Sequence, residues 1–222
     1  MTLGLRTRLP APFLACIPIG MDMPRDTLDK VSDETLLVLY ANGDTEAARL
    51  LTRRLVPRAL GYATRLLADR AEAEDVTQEA MLRLWKVAPD WRTGEAQVST
   101  WLYRVVTNLC TDLRRARGRR PGVGLDDAPE VASGGASAIA SMIEADRMAA
   151  LTAALTSLPD RQRQAVVLRH IEGLSNPEIG MIMGLGVEAV ESLTARAKRT
   201  LAAILSGRRA ALGYEGEEDE GA

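Results

Sequence analysis

From Ser32 to Gly118 the apolar positions recur at helical spacing, and no segment alternates convincingly between apolar and polar residues. The pattern therefore predicts an all-α chain. Ser32 stands before Asp33 and Glu34, placed to cap a short helix that carries Leu36, Leu37, Leu39 and Tyr40 and stops at Asn42-Gly43. Asp44 opens a second helix reaching about Leu67, with Ala47, Leu50, Leu51, Leu60, Ala63 and Leu67 inward and a kink expected at Pro57. Asp69 opens a third, AEAEDVTQEAMLRLWKVA, where Val76, Ala80 and Leu84 share one side. Asp75, Gln78, Glu79 and Leu82 occupy other parts of its circumference. Ser99 or Thr100 is placed to cap a fourth helix, which buries Leu102, Val105, Val106, Leu109 and Leu113. It leaves Asn108, Asp112, Arg115 and the following arginines outward.

The periodicity breaks after Gly118, where RRPGVGLDDAPEVASGGASAIA brings glycine, proline, serine and other small residues, the composition of a flexible linker. Beyond it, a helix started by Pro159 carries the single histidine, His170, near its end, where a cap and dipole role is expected. The segment SNPEIGMIMGLGVEAVESLTARAK follows, from Ser175 to Lys198. Ser175 and Glu178 have capping-box spacing, and Pro177 is tolerated in the opening turn. Ile179, Ile182 and Met183 form one apolar face, Gly184 and Gly186 bracket a turn, and Val187, Val190, Leu193, Ala197 and Leu201 recur beyond it. The stripe left over holds Glu188, Glu191, Ser192, Thr194 and Ala195, then Arg196, Lys198 and Arg199. Short polar residues ahead of cations suit a helix whose first turns read bases in the major groove and whose end meets phosphates. A plain helical hairpin would show the same spacing.

Composition sharpens the picture in three places. Net charge is −2 over 222 residues, yet five arginines crowd Arg114 to Arg120 and five acids crowd the last nine residues, so the average conceals opposed patches. Cys16 and Cys110 lie far apart and outside any metal-ligand spacing, which argues for a reducing cytoplasm, with no metal and no cofactor. No apolar run approaches a membrane span. PAPFLACIPIG after Arg6 and Arg8 imitates a signal peptide that its prolines spoil, so a disordered leader, or a start at Met21 or Met23, is expected. Trp85, Trp91, Trp101 and Tyr103, half of the eight aromatics, lead into the arginine-rich helix, a pairing that suits unstacked bases and phosphates. Asp75 and Glu79 share a helix without a histidine or third ligand, which leaves no catalytic constellation and speaks against a nuclease.

Three ordered motifs, AEDVTQEAMLRLW, STWLYRVVTNLCTDLRRARGRR and LPDRQRQAVVLRHIEGLSNPEIG with VEAVESLTARAKRTL, together resemble a bacterial RNA polymerase sigma factor of the extracytoplasmic-function (ECF) type, over about Asp33 to Leu205. The resemblance implies a leader (1–28), a region 2-like domain (29–118), a linker (119–140), a region 4-like helix-turn-helix domain (141–209) and an acidic disordered tail (210–222). It implies that Asp75, Gln78, Glu79 and Leu82 dock on the β′ clamp helices of core polymerase, with the β flap a further contact. It implies that Trp91, Trp101, Asn108, Asp112, Arg114, Arg115, Arg117, Arg119 and Arg120 engage the promoter −10 element, the loop 91–97 capturing a flipped base. Glu188, Glu191, Ser192, Thr194, Arg196, Lys198 and Arg199 would read the −35 element, and an anti-sigma factor would mask both domains. The chain departs from many relatives at Glu191 and Leu193, where cations are common, and at Gly180, where alanine is usual; the glycine costs up to about 1 kcal/mol unless close packing needs it. The tail serves solubility or covers the DNA-binding arginines. A helix-turn-helix regulator acting without polymerase remains the other reading.

Overall fold

A computed structural model describes residues 31–94, 96–118 and 138–206, with the backbone alone at 118 and 138–146. Among them all regular structure is helical. In chain order come α1 (Asp33–Ala41), α2 (Thr45–Leu67), α3 (Arg70–Val87), a 3-10 turn at Ala88–Asp90, α4 (Val98–Gly118), α5 (Ala138–Thr156), α6 (Asp160–His170), α7 (Asn176–Met183) and α8 (Val187–Ser206). The expected leader and tail lie outside the described residues. So does the linker, except that 138–140 open α5.

Short polar side chains start the first three helices. Ser32 Oγ accepts the Thr35 N–H at 3.2 Å, Asp44 Oδ1 accepts those of Glu46 and Ala47 at 2.9 and 3.0 Å, and Asp69 Oδ1 accepts that of Glu72 at 3.0 Å. Each satisfies amides that the helix itself leaves unpaired, an effect of about 1 kcal/mol per cap. α2 runs through Pro57 as a single helix and ends at Ala68, in the left-handed region at φ 55°.

The start of α4 corrects the sequence expectation. The helix opens at Val98, with the Trp101 N–H on Gln97 O at 3.0 Å, so Ser99 and Thr100 lie inside it. Its first amide, that of Val98, donates to Glu34 Oε1 of α1 at 3.1 Å, a cap supplied from another element. Thr100 is buried, and its hydroxyl has no partner among the described residues.

α2 packs on α1, α3 and α4, and α8 packs on α5, α6 and α7. The two groups share one apolar core, which contains Leu37, Leu51, Leu84 and Val106 as well as Leu168, Ile179 and Val190. Within it the Tyr62 and Thr107 hydroxyls are hydrogen-bonded at 2.9 Å, and Tyr62 meets Tyr103 edge-on, ring centroids 5.3 Å apart. Burial raises the Tyr62 hydroxyl far above its ordinary value. Cys110 is buried too; desolvation pushes its thiol up to about 12 against the opposing pull of Arg114, so it is a core residue and no nucleophile.

The groups meet where α4 packs on α7 and where α2 packs on α5 and α6. Arg163 of α6, 1% exposed, sits at this junction. Its guanidinium donates to three carbonyls, Leu66 O at 2.7 Å, Thr156 O at 2.5 Å and Leu158 O at 3.0 Å. Burial, reinforced by Arg114 and opposed by Asp160, lowers its pKa to about 10, which still leaves it charged at neutral pH.

Candidate nucleic-acid and partner interfaces

Asp75, Gln78, Glu79 and Leu82 stand at i, i+3, i+4 and i+7 of α3, hence on one stripe, and all four are exposed. Val76, Ala80 and Leu84 hold the opposite side in the core. Leu82 is 63% exposed, an apolar side chain ringed by two carboxylates and an amide. Only Glu79 among these has an ion pair among the described residues, with Arg83 Nε at 2.7 Å. Such a patch suits docking on an apolar surface with a cationic rim.

On α4, Asn108, Asp112 and Arg115 also form one exposed stripe, and Arg104, a turn earlier, extends it. Arg104 has no ion pair among the described residues, and its position four before Asn108 is the signal by which the sequence could have shown it. Trp91 and Trp101 are half-buried at the head of the helix, edge-on with centroids 6.0 Å apart. Trp91 Nε1 is buried without a partner among the described residues.

The arginine run does not face outward as a block, contrary to the periodicity. Arg114 donates to Leu66 O at 2.8 Å and pairs with Asp160 Oδ1 at 2.8 Å. Arg117 reaches back to Asp69 at 3.1 Å and Glu72 at 2.5 Å at the start of α3. Both therefore hold helix ends together. Arg115 remains exposed, 3.9 Å from Asp112, and Arg119 and Arg120 lie outside the described residues.

The helix-turn-helix is built as its spacing implies. Glu178 Oε2 accepts the Ser175 N–H at 2.8 Å and the Ser175 hydroxyl at 2.5 Å, and these bonds hold the Glu178 carboxyl below its ordinary value. α7 ends on Gly184 at φ 65°, a left-handed turn suited to glycine. At Gly180 the carbonyl accepts the Leu185 N–H at 3.0 Å, and an added Cβ would meet Leu185 O at 2.7 Å. Close approach of the turn accounts for this glycine.

α8 buries Val190 and Ala197 and presents Glu188, Glu191, Ser192, Ala195, Arg196, Lys198 and Arg199. Two expectations fail here. Thr194 is 9% exposed and donates its hydroxyl to Val190 O at 2.9 Å, so it is turned away from the outer face. Val187, expected inward, is 42% exposed at the first residue of the helix. Glu191 accepts from Asn176 Nδ2 at 3.1 Å, which brings in a residue the sequence reading passed over. Arg196, Lys198 and Arg199 carry no ion pair among the described residues. His170 is exposed in the last turn of α6, where the sequence placed it, and slight burial with Lys198 and Arg169 nearby lowers its pKa. Among the described residues no helix is long and apolar enough to cross a membrane.

Two family models match the chain in order, Sigma-70 region 2 over residues 51–120 and Sigma-70 region 4 over residues 148–201. The first span holds the α3 and α4 stripes, the second the helix-turn-helix. The RNA polymerase sigma-H factor of Pseudomonas aeruginosa is 31% identical over 182 residues, covering 78% of this chain and 94% of its own. The ECF RNA polymerase sigma factor SigM of Mycobacterium tuberculosis is 34% identical over 199 residues, covering 89% and 94%. Among solved structures, CnrH in complex with the cytosolic domain of CnrY is similar at TM-score 0.58 and 28% identity, covering 79% of this chain and 97% of that one. The sigma factor RpoE of Bartonella quintana, in complex with the anti-sigma factor NepR, has the same fold at TM-score 0.60 and 23% identity, covering 71% and 96%.

Proposed function

Since the chain belongs to the extracytoplasmic-function sigma factors of bacterial RNA polymerase, we propose a division of labour among its three exposed surfaces. The protein is a transcription initiation factor that binds core polymerase and directs it to particular promoters. The α3 stripe of Asp75, Gln78, Glu79 and Leu82 docks on the β′ clamp helices. The exposure of Leu82 within an acidic stripe carries this assignment, because a monomer has no folding use for that side chain there.

The α4 stripe engages the −10 element. Asn108, Asp112, Arg115 and the added Arg104 line it, with Trp91 and Trp101 at its head and Arg119 and Arg120 beyond its end. Holding one strand of an opened duplex stabilises the melted state, so binding free energy is turned into strand separation with no covalent step. The outer face of α8 reads the −35 element: Glu188, Glu191 and Ser192 face base edges, and Arg196, Lys198 and Arg199 face phosphates. The protein is not an enzyme, and its place of work is the cytoplasm, with the polymerase and the chromosome. The β flap is a further polymerase contact. An anti-sigma factor is a further partner, on the likeness to CnrH, solved with the cytosolic domain of CnrY. A regulator acting without polymerase would leave the α3 stripe unused.

Charge reversal at Asp75 with Gln78→Lys tests the assignment. It should abolish promoter-directed transcription and core binding while leaving the melting temperature and duplex DNA binding unchanged. Full transcription by that variant would overturn it.

A further inference from the structure

Val187 opens α8 and is 42% exposed, although its spacing from Val190 places it on the inward stripe. The turn before it offers little cover. Gly184 and Gly186 are exposed, and an added Cβ at either would meet nothing within 4 Å. The start of the helix is thus open to close approach by a flat ligand edge. Single exposed apolar residues are ordinary on a protein surface. Position sets this one apart. Val187, Glu191 and Ala195 stand at i, i+4 and i+8, all exposed, on one line along α8.

The line reads apolar, acidic, apolar, with the Glu191 carboxylate held by Asn176 Nδ2 at 3.1 Å. A valine face cannot hydrogen-bond, so a phosphate or a base's polar edge pressed against it would lose water without replacement. In the major groove only thymine presents an apolar group, its 5-methyl. Valine is also stiff. Branching at Cβ leaves it essentially one χ1 rotamer in a helix, so its methyls point in a fixed direction and contact costs little further entropy.

We propose that Val187 is a specificity-determining residue of the −35 surface and that it selects thymine by packing on the 5-methyl group, beside the base pair that Glu191 reads. One helical turn is about 5.4 Å and a base-pair step about 3.4 Å, so this thymine lies within about two base pairs of the Glu191 position. Cytosine in its place lacks the methyl, and a purine turns its polar N7 edge toward the valine. This role rests on the −35 assignment of α8 made above.

Deoxyuridine isolates the contact, because it keeps every hydrogen-bonding group of thymine and lacks only the methyl. Holoenzyme assembled from core polymerase and the full chain first selects −35 sites from a randomised duplex, and each enriched thymine is then replaced singly by deoxyuridine. One replacement, within about two base pairs of the position that shifts in Glu191→Ala, should weaken binding about fourfold, the worth of one buried methyl group. Holoenzyme carrying Val187→Ala should bind the thymine and deoxyuridine duplexes equally. Val187→Ile should restore the difference. Because the side chain is exposed, the melting temperature should hold in both variants. Deoxyuridine tolerated at every thymine, or a penalty that persists in Val187→Ala, would overturn the role of Val187. A Glu191→Ala shift without any deoxyuridine effect would leave the −35 assignment standing, whereas selected sites unchanged in both Glu191→Ala and Val187→Ala would overturn that assignment too.

Discussion

Asn176 Nδ2 lies 3.1 Å from Glu191 Oε1, so the first residue of α7 fixes an acidic side chain on the outer face of α8. One carboxylate oxygen is thereby occupied, which on the proposed −35 assignment leaves the other to accept from a base edge. A cytosine amino group offers the matching donor in the major groove.

Glu191→Ala should therefore shift the −35 preference while sparing core binding, and Asn176→Ala should shift it in the same direction by less. A discrimination of about 1–3 kcal/mol at one base pair is the expected scale. Selection from a randomised −35 site measures it. An unchanged preference in the glutamate variant would refute the assignment.

On the proposed −35 assignment, Lys198 and Arg199 meet phosphates rather than bases. Replacing either by alanine should weaken promoter binding across sequences and lower the salt slope by about 1. Titrations across a salt series read this directly, and a changed base preference with an unchanged slope would count against it.

The two turn glycines should behave differently. Gly184 adopts φ 65°, so Gly184→Ala should cost about 1–2 kcal/mol. An added Cβ at Gly186 meets nothing within 4 Å, and Gly186→Ala should stay within about 0.5 kcal/mol. Chemical denaturation of both variants provides the comparison, and equal losses would contradict the turn geometry.

Acid should destabilise the fold in two stages. His170 has its pKa lowered from 6.5, so its charging penalises the folded state as pH falls below that value. Glu178 has its pKa lowered from 4.5 by the Ser175 hydrogen bonds, so its contribution is present above 4.5 and is lost as pH falls through the folded value. The melting temperature of His170→Gln should flatten on the first stage, and that of Glu178→Gln on the second. A profile unmoved by both substitutions would contradict the two shifts.

Local signals in the sequence carried most of the fold. Ser32, Asp44, Asp69 and Ser175 each mark a helix start because a cap and its amides lie within three residues of each other. The apolar stripe of α3 was legible for the same reason, and with it the exposed set opposite. What spacing could not show are groups satisfied from afar. Glu34 caps α4 across the domain, and the guanidiniums of Arg114, Arg117 and Arg163 go to carbonyls and carboxylates that no periodicity associates with them. Thr194 misled because a short hydroxyl passes for an outward polar residue while bonding back to its own helix. The family resemblance supplied the partners.

The central claim is that these surfaces make a promoter-directing subunit of polymerase. Multi-round transcription on a pool of genomic promoter fragments, with purified core polymerase and with or without the protein, tests it most directly. New discrete start sites that depend on the protein, and disappear on charge reversal at Asp75, are the predicted result. Duplex DNA binding without core binding and without new start sites would contradict it.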